Sequence, residues 1–356
     1  MILCGPLSQK GTTVKGYNNI LVIKMSSLGD VLHSLPTLYA LQQNCPDARI
    51  VWAVHKQFAS VLPGKPYIDD VIYVDKKRLK SLSYWMELRK KLHPYHFDLC
   101  LDLQGLAKSA IVAFLSGAKE KYGYWEMREG SFLVSKGLVG AHKYDHVIER
   151  YLDTVRALGG HVDDLVFPLP DITIEKSDWR RRLASDGLKG PYVAVVPGAR
   201  WDVKEWPLDH WSRFLARLTD KGLSAVILGG RDDQEKGRRL KEQDTSGQVF
   251  DYTGQTDLRQ LMAAIDESRV YISADTGPLH IANALKKELI ALFGATSPER
   301  TGPYGGRDRS YIHLVISPTS KATPEEPLVD DPDCMAQITV DTVWNLFEEV
   351  LKKVEP

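Results

Sequence analysis

Two kinds of hydrophobic pattern alternate along the chain. Short apolar runs rich in β-branched residues predict buried strands, and longer stretches with apolar positions three and four apart predict helices packed on one face. From residue 19 onward this alternation is typical of β-α units on a parallel sheet. The predicted strands are 20–24, 50–54, 71–74, 99–103, 193–196, 225–228, 270–273 and 289–293. The predicted helices are 32–43, 84–92, 106–115, 147–158 and 340–353, with others that begin near residues 207, 233, 257 and 277.

The alternation pauses between residues 167 and 191, where the segment LPDITIE and the basic helix WRRRLASDG separate two such blocks. We predict an α/β protein with two doubly wound domains. The expected bounds are a flexible leader over 1–18, a first domain over 19–175, a second domain over 176–335 and a C-terminal helix over 336–356. A chain of 356 residues is long enough for each domain to bury its own core.

Charge changes this picture in one respect. The chain has 46 basic and 46 acidic residues, which argues against a generic nucleic-acid binder. Through residue 185, however, there are 25 basic and 19 acidic side chains, and the remainder has the opposite excess. The two halves are therefore expected to meet different partners, and an anionic partner suits the first half.

The cysteines and the hydropathy profile indicate the compartment. Cys4, Cys45, Cys100 and Cys334 show no paired spacing of the zinc or redox kind, so we expect neither a structural metal nor a disulfide framework. No apolar run reaches the roughly 18 residues needed to cross a bilayer, and the first residues show no signal-peptide core. A reducing, cytoplasmic setting fits best.

The turn after the first predicted strand is the first candidate for chemistry. It reads KMSSLGDVLHSLP, so Ser27, Gly29 and Asp30 lie where the strand ends and a helix begins. Ligands of open α/β sheets bind at this edge, and Gly29 permits close backbone approach. Asp30 is suited either to cap the helix or to act as a general base, and spacing alone favours the cap. The turn lacks the three-glycine pattern of nicotinamide-binding turns.

The second domain opens with a similar turn, VVPGARWDVKEWP. Pro197 and Gly198 form the turn, and Lys204 lies just before a helix predicted to begin at Pro207. A lysine beside a helix N-terminus suits a phosphate, because the ammonium and the helix dipole attract the same anion. A solvated loop lysine is an equally open alternative.

The densest cluster of polar and glycine residues is YISADTGPLHIANAL. Asp275, Thr276 and Gly277 form a tight turn after a strand, and the free N–H groups of the next helix suit a pyrophosphate. His280 lies one turn into that helix, on the side of the crevice if the helix begins at Gly277. A buried, hydrogen-bonded structural histidine is the alternative. A second turn over 294–298 is expected beside the first.

Other polar groups carry weaker signals. His142 and His146 have the i, i+4 spacing of metal ligands but no acidic or cysteine partner nearby, so we do not expect a metal site. The basic runs at 76–80 and 89–91 are typical of solvated surfaces, and binding of an anionic substrate is the competing interpretation.

Several blocks of the sequence together resemble a known family. They are ILVIKMSSLGDVLHSLPTLYAL, DLCLDLQGLAKSAIVAFLSGA with YGYWEMREG, PGARWDVKEWP, and ADTGPLHIA followed by LFGATSPERTGPYG. In this order, over about residues 19 to 350, they resemble the bacterial lipopolysaccharide heptosyltransferases of glycosyltransferase family 9. The block with WEMREG is similar to heptosyltransferase I, which adds the first heptose to the Kdo sugars of the inner core.

The resemblance implies a GT-B fold, in which two Rossmann-like domains face each other across a cleft. It implies an inverting, metal-independent transfer without a cofactor, in lipopolysaccharide core biosynthesis. The C-terminal domain would bind the donor, ADP-L-glycero-β-D-manno-heptose, and the N-terminal domain would bind Kdo-bearing lipid A, an anionic acceptor that suits the basic half. A monomer, peripheral on the cytoplasmic face of the inner membrane, is expected from the same resemblance.

The resemblance also implies roles for single residues. Asp30 matches the proposed catalytic base. Ala199 and Arg200 stand where many first-heptose enzymes carry hydroxyl residues, so the phosphate contacts there are expected to differ. The donor-site positions are Pro197, Gly198, Arg200, Lys204, Asp233, Asp275, Thr276, Gly277 and His280. The acceptor-site positions are Ser27, Gly29, Lys77, Arg78, Lys80, Gln104 and Arg128.

Three alternatives stay open. One is another family 9 transferase with a different donor or acceptor, such as heptosyltransferase II. The second is a sugar-nucleotide epimerase of the same architecture, which would need no basic acceptor surface. The third is a glycan-binding member without turnover, against which the presence of Asp30, Lys204 and the 275–280 set argues.

Overall fold

The computed structural model describes residues 16–188 and 190–354, and its strands form two sheets of six. All strand pairs in both sheets are parallel. The predicted α/β class is therefore confirmed. Parallel strands are joined by crossover helices, which is why the strands and helices alternate along the sequence.

The first sheet lies within residues 19–138. Its strands lie side by side in the order β3-β2-β1-β4-β5-β6. In chain order they are β1 Asn19–Ile23, β2 Arg49–Val54, β3 Asp70–Tyr73, β4 Leu99–Asp102, β5 Glu120–Tyr124 and β6 Lys136–Leu138. The helices of this half are α1 Leu28–Asn44, α2 Leu82–Leu92, α3 Ala107–Leu115 and α4 Val147–Ala157.

The second sheet lies within residues 192–316 and repeats the topology, in the order β12-β11-β10-β7-β8-β9. Its strands are β7 Tyr192–Val196, β8 Ser224–Ile227, β9 Val249–Asp251, β10 Val270–Ala274, β11 Leu289–Phe293 and β12 Ile312–Ile316. The helices of this half are α5 Thr173–Ser185, α6 Leu208–Asp220, α7 Gln234–Glu242, α8 Leu258–Glu267, α9 Gly277–Ala284, α10 Pro298–Thr301 and α11 Val340–Val354.

Alternating side chains of the central strands fill two layers in each half. In β1, Ile20 and Val22 join one hydrophobic cluster, while Leu21 and Ile23 join another on the opposite face. Strands buried on both faces read as continuous apolar runs, which is the pattern seen in the sequence. The cluster that contains Ile20 also contains buried side chains of the second half, such as Ile281. One hydrophobic core therefore continues from one half into the other.

The strand order places a crevice in each half. In the first sheet the order reverses between β1 and β4, and in the second between β7 and β10. Ligands of open α/β sheets bind beyond the carboxyl ends of the strands at such a reversal. The segments that follow these four strands carry, in chain order, Asp30, Gln104, Lys204 and Asp275.

The eight predicted strands are confirmed, and so are the predicted helices, with ends shifted by a few residues. The pattern missed β5, β6, β9 and β12. These strands are three to five residues long and partly exposed, and none contains an apolar run of four or more residues. Sheet pairing with a neighbouring strand stabilises them, and a pattern of single positions does not contain that information.

The basic helix α5 packs against α8 of the second half. Lys176 pairs with Asp266 and Glu267, and Arg180 pairs with Glu267. Counted only to residue 172, the first half has 21 basic and 17 acidic side chains, a smaller excess than the count to residue 185 indicates. Part of the predicted charge asymmetry is therefore neutralised within the second half.

The start of the chain differs from the predicted leader. Residues 1–15 of the predicted leader lie outside the described residues. Tyr17 is buried and its hydroxyl donates to Glu120 at 2.7 Å, so the expectation that the leader extends through residue 18 is wrong at this position. Cys45, Cys100 and Cys334 are buried free thiols. Within the described residues, no helix is long and apolar enough to span a membrane.

Candidate active site between the two sheets

The turn between β1 and α1 contains a buried lysine. Lys24 is 2% exposed, and its Nζ donates to the Leu103 carbonyl at 2.8 Å and to the Tyr151 hydroxyl at 2.6 Å. The same ammonium lies 3.9 Å from Asp30 Oδ1. A buried ammonium is tolerated only when such polar partners surround it. Lys24 therefore places a fixed positive charge beside the Asp30 carboxylate.

Asp30 lies in the first turn of α1, where Ser27 is the N-cap residue. Its Oδ2 accepts hydrogen bonds from Ser27 N at 2.9 Å and Ser27 Oγ at 2.7 Å. Helix capping is thus present, with Ser27 rather than Asp30 at the N-cap. Burial by itself raises the pKa of the Asp30 carboxyl. The Lys24 charge and the two Ser27 hydrogen bonds have a larger opposite effect, so the pKa lies below its usual value. With 39% of its side chain exposed, Asp30 presents an ionised carboxylate to open space.

Gln104 connects the turn after β4 to the turn after β1. Its Oε1 accepts hydrogen bonds from Met25 N at 3.0 Å and from Ser26 N at 3.1 Å. These bonds fix the backbone that leads into α1. The structure thus brings Gln104 to the Asp30 turn, where its amide oxygen stabilises the backbone of that turn.

Lys204 and Asp275 form the centre of the second half of the site. Lys204 Nζ donates to Asp275 Oδ2 at 2.6 Å and lies 4.7 Å from the centroid of the Trp201 ring. Thr296 Oγ1 donates to the same carboxylate oxygen at 2.9 Å. The side chain of Lys204 is therefore directed to the start of α9. The sequence predicted that Lys204 acts beside the helix that follows Pro207, whereas its ammonium contacts Asp275 before α9.

The first turns of α1 and α9 meet where the two halves touch. A Cβ added to Gly29 would lie 2.6 Å from His280 Cδ2, and one added to Gly277 would lie 3.0 Å from Leu28 Cδ2. Only glycine at position 29 therefore allows this approach of the two helices. Asp30 and Asp275 both act electrostatically on His280, so the Asp30 carboxylate borders the same cleft as the start of α9.

Three buried histidines occupy this contact. His33 Nε2 lies 3.1 Å from His280 Nδ1, and the His33 ring packs edge-on against His146 with 5.6 Å between centroids. His280 Nε2 lies 3.8 Å from Asp275 Oδ1. Burial lowers the pKa of all three rings, to about 3 for His146, so all three are neutral at pH 7. His280 is thus a buried, bonded histidine that also borders the cleft.

Asp233 lies between the glycine turns that follow β7 and β8. Its Oδ2 accepts a hydrogen bond from Gly230 N at 2.8 Å. A Cβ added to Gly198 would overlap the Asp233 carboxylate, so the close packing of these turns requires glycine there. The structure thus brings Asp233 beside the Pro197-Gly198 turn.

Three of the basic residues assigned to the acceptor lie apart from Asp30. Lys77 and Arg78 line a separate cavity of about 560 Å³ beyond β3, and Lys80 follows them in the same exposed segment. Arg78 pairs with Glu87 at 2.8 Å. β3 is an edge strand two places from β1, so this segment lies along the same sheet edge as the Asp30 turn but away from its centre.

Two arginines of the predicted site have exposed side chains. Arg128 N donates to the Gly105 carbonyl at 2.8 Å, which holds the WEMREG loop against the Gln104 turn. Arg200 lies in the turn after β7. Within residues 16–188 and 190–354, neither guanidinium has an ion-pair partner, so both are free to meet an anion.

Sequence reasoning missed an ion-pair network that joins the two halves. Arg300 in α10 donates to both carboxylate oxygens of Glu126, at 2.7 and 2.9 Å. Arg150, which is buried, lies 3.3 Å from the same carboxylate. Nothing in a single sequence connects residues 174 positions apart. Lys24 was also missed, although a lysine that ends the apolar run ILVIK is a signal of a buried charge.

His142 and His146 do not converge, despite their spacing. His142 Nδ1 lies 2.8 Å from Asp153 Oδ1, whereas His146 Nε2 lies 3.0 Å from the Gly302 carbonyl and its ring stacks on Tyr304. The two rings therefore make different contacts: His142 binds a side chain of α4, and His146 contacts residues 302–304 of the second half.

The fold and the site can be compared with known proteins. A family model described as Glycosyltransferase family 9 (heptosyltransferase) matches residues 85–328. Lipopolysaccharide heptosyltransferase 1 of Pseudomonas aeruginosa is 29% identical over 306 residues, which cover 83% of each chain. Lipopolysaccharide heptosyltransferase 2 of Escherichia coli is 27% identical over 308 residues, which cover 83% of this chain and 88% of that protein.

A solved structure of E. coli heptosyltransferase WaaC with ADP aligns with a TM-score of 0.75 at 25% identity. The alignment covers 93% of this chain and 99% of that chain. The agreement extends over both sheets, and the predicted GT-B architecture is confirmed.

Proposed function

Because the chain belongs to glycosyltransferase family 9, the heptosyltransferase family, we propose that it transfers a heptose in lipopolysaccharide core biosynthesis. The proposed donor is ADP-L-glycero-β-D-manno-heptose, and the proposed acceptor is the Kdo region of the inner core. Heptosyltransferases 1 and 2 are similar to this chain to nearly the same degree, so the choice of first heptose addition rests on the WEMREG block.

The meeting of α1 and α9 across one cleft carries the proposal. It brings the ionised carboxylate of Asp30 to the same cleft as Lys204 and the N-terminus of α9. A transferase that displaces a nucleoside diphosphate needs two such groups. One is a base for the acceptor hydroxyl, and the other is a cationic site for the leaving group.

In the proposed reaction, Asp30 accepts the proton of the acceptor hydroxyl while that oxygen attacks the anomeric carbon of the donor. The new C–O bond forms as the bond to the diphosphate oxygen breaks, and ADP leaves with the electron pair. A single in-line displacement inverts the anomeric centre. The low pKa of Asp30 keeps the carboxylate unprotonated before the acceptor binds.

Lys204 and the start of α9 would stabilise the charge that develops on ADP. An ammonium has three N–H donors, so Lys204 can hold Asp275 and a phosphate oxygen together. The free N–H groups and the dipole of α9 favour the same anion. Arg200 is exposed and unpaired within the described residues, and we assign it a second contact to the phosphates. These groups supply the positive charge that many transferases draw from a divalent metal.

The two halves are assigned different substrates. We propose that the half with the first sheet binds the acceptor through Ser27, Gln104 and Arg128, which lie around Asp30 or in the loop held against its turn. Lys77, Arg78 and Lys80 are proposed to meet acidic groups of the acceptor farther from the reacting hydroxyl. The other donor-side residues are Pro197, Gly198, Asp233, Thr276, Gly277 and His280.

Release of ADP from ADP-heptose tests the proposal, measured with and without a Kdo-bearing lipid A acceptor. A transferase releases ADP only when donor and acceptor are both present, and product analysis then shows a new α-linked heptose, inverted from the β configuration of the donor. Conversion of the donor sugar without acceptor would favour the epimerase, and binding without release would favour an inactive glycan binder. EDTA is expected to leave the rate unchanged, and restoration of a lost rate by Mg²⁺ would contradict metal independence.

A further inference from the structure

An apolar and basic surface lies at the β6 edge of the first sheet, outside the cleft. Phe132 and Leu133 are 62% and 82% exposed, and they line a surface depression of about 490 Å³ together with Lys119, Lys121 and Lys136. We call these five residues the edge patch. Exposed apolar side chains are usually scattered singly over a protein surface, so two adjacent ones among lysines indicate an interaction site.

The local backbone holds the two apolar side chains outward. Ser131, the first residue of the 3₁₀ turn that carries them, is fully buried. Gly130 precedes it with φ of 77°, a left-handed conformation that favours glycine. Val134 follows and packs against the core of the first half. Phe132 and Leu133 thus form a tip that is anchored on both sides.

Positive charge surrounds this tip. Among the described residues Lys136 has no ion-pair partner, and Lys121 Nζ donates to a backbone carbonyl at 2.6 Å. Lys119 pairs with Asp98 at 2.7 Å but keeps 76% of its side chain exposed. Phe114 lies on α3, the helix that contacts this turn, and is 59% exposed. Apolar side chains with a basic rim are the composition of surfaces that bind anionic membranes.

The edge patch is joined to the cleft by a short loop. Arg128 lies four residues before Phe132, and its backbone N–H donates to the carbonyl of Gly105, next to Gln104. A surface that held Phe132 at a bilayer would therefore hold the Arg128 loop and the cleft near that bilayer.

We propose that the edge patch docks the first half of the chain on an anionic lipid bilayer. Phe132 and Leu133 enter the boundary between headgroups and acyl chains, and Lys121 and Lys136 contact lipid phosphates. The biological reason for docking rests on the proposed function, since a lipid-anchored acceptor is reached at a membrane surface. The docking itself needs no donor or acceptor.

Binding of the full chain to lipid vesicles tests the docking. Vesicles of phosphatidylcholine with phosphatidylglycerol are compared with vesicles of phosphatidylcholine alone, by co-sedimentation without substrate. The double substitution Phe132→Ser with Leu133→Ser is expected to weaken binding to anionic vesicles by about tenfold or more. Lys136→Glu is expected to weaken binding to the anionic vesicles only. The control is Ile174→Ser, at an apolar side chain on α5 that is 73% exposed, and it is expected to leave binding unchanged.

Three results would overturn the docking proposal. They are absence of binding by the unmodified chain, equal binding by the double variant, and a dimer in sedimentation velocity that the double variant converts to a monomer. The last result would make the edge patch a contact between two copies. Transfer to a water-soluble Kdo acceptor is measured separately. Failure of the unmodified chain in that assay counts against the proposed function and leaves the vesicle result unaffected.

Discussion

Asp30 combines two tasks in one side chain. Its Oδ2 accepts both bonds from Ser27 at the start of α1, whereas its Oδ1 faces the Lys24 ammonium. One carboxylate can thus hold the helix and stay ionised for the proposed proton transfer. Lys204 is comparable, because Asp275 holds its ammonium in place while two N–H donors remain for a ligand.

Asp30→Asn separates the two tasks of this side chain. The amide oxygen still accepts bonds from Ser27, but the side chain no longer takes up a proton at neutral pH. Transfer is expected to fall about 100-fold or more, while the free energy of unfolding falls by about 1–3 kcal/mol because the buried Lys24 ammonium loses its carboxylate partner. Steady-state ADP release and urea unfolding measure the two effects. ADP affinity, from calorimetric titration, serves as the control and is expected to stay constant. Transfer at the unmodified rate would make Asp30 a helix cap alone.

Lys204→Met removes the ammonium while keeping the length of the side chain. Because a charge-assisted hydrogen bond contributes about 1.5–3 kcal/mol, ADP affinity is expected to fall about tenfold or more, together with the rate of transfer. Isothermal titration with ADP gives the affinity. Lys221→Met, which removes an exposed lysine paired with Glu348, is the matched control. Unchanged ADP affinity in the Lys204 variant would remove this residue from the phosphate site.

At the scale of elements, the site depends on how α1, α4 and α9 pack. Gly29 lets α1 approach the His280 ring, and His33 and His146 fill the space between the three helices. All three rings are buried and neutral, so protonation of any of them places an additional charge in a buried contact. The packing of these helices is therefore sensitive to acid.

The free energy of unfolding is expected to decrease as the pH is lowered below about 6.5. His146 has a pKa of about 3 in the folded chain and an ordinary value near 6.5 when unfolded, so the unfolded chain binds the additional proton in this window. Above pH 6.5 the histidines are neutral in both states and do not reduce the free energy of unfolding. Below that value, each such histidine lowers the free energy of unfolding by up to about 1.4 kcal/mol per pH unit.

His146→Asn is the test of this pH dependence. Asparagine keeps a side-chain acceptor for the Ile148 N–H at the start of α4 but does not titrate. Urea unfolding between pH 5 and pH 8 should show a smaller slope for the variant below pH 6.5 and equal slopes above it. Equal slopes throughout would mean that His146 does not stay neutral in the folded chain.

At the scale of the whole molecule, three kinds of contact join the two halves. They are a shared hydrophobic core, the histidine contact of α1 with α9, and the network of Glu126 with Arg150 and Arg300. The network links the WEMREG loop of one half to α10 of the other. It thus couples the proposed acceptor loop to the half that is proposed to bind the donor.

Glu126→Gln is expected to weaken the junction of the two halves. The change leaves the buried Arg150 and the partly buried Arg300 without their carboxylate, at a cost of about 1–3 kcal/mol in the free energy of unfolding. A double-mutant cycle with Arg300→Gln measures the coupling between the two residues. Glu87→Gln, which breaks an exposed pair with Arg78, is the control and should change little. No coupling between Glu126 and Arg300 would contradict their role as a junction.

Much of the fold could be predicted from the sequence, and less of the site. The central strands β1, β4, β7 and β10 read as apolar runs because they are buried on both faces, and the glycine turns after them marked the crevice edge. Asp30, Lys204 and Asp275 were singled out for this reason. Glu126, Arg300 and Lys24 were missed because their roles depend on partners far away in the chain.

The sequence by itself determined the alternation of strands and helices, the two-sheet architecture and the family, since these depend on local periodicity and on ordered blocks of residues. Only the tertiary structure decided which helix N-terminus Lys204 joins, that Asp30 keeps a low pKa beside a buried lysine, and that Lys77 and Arg78 line a cavity beside β3. The physical reason is that charge, burial and hydrogen bonding depend on neighbours in space, and parallel sheets bring together residues that are far apart in sequence.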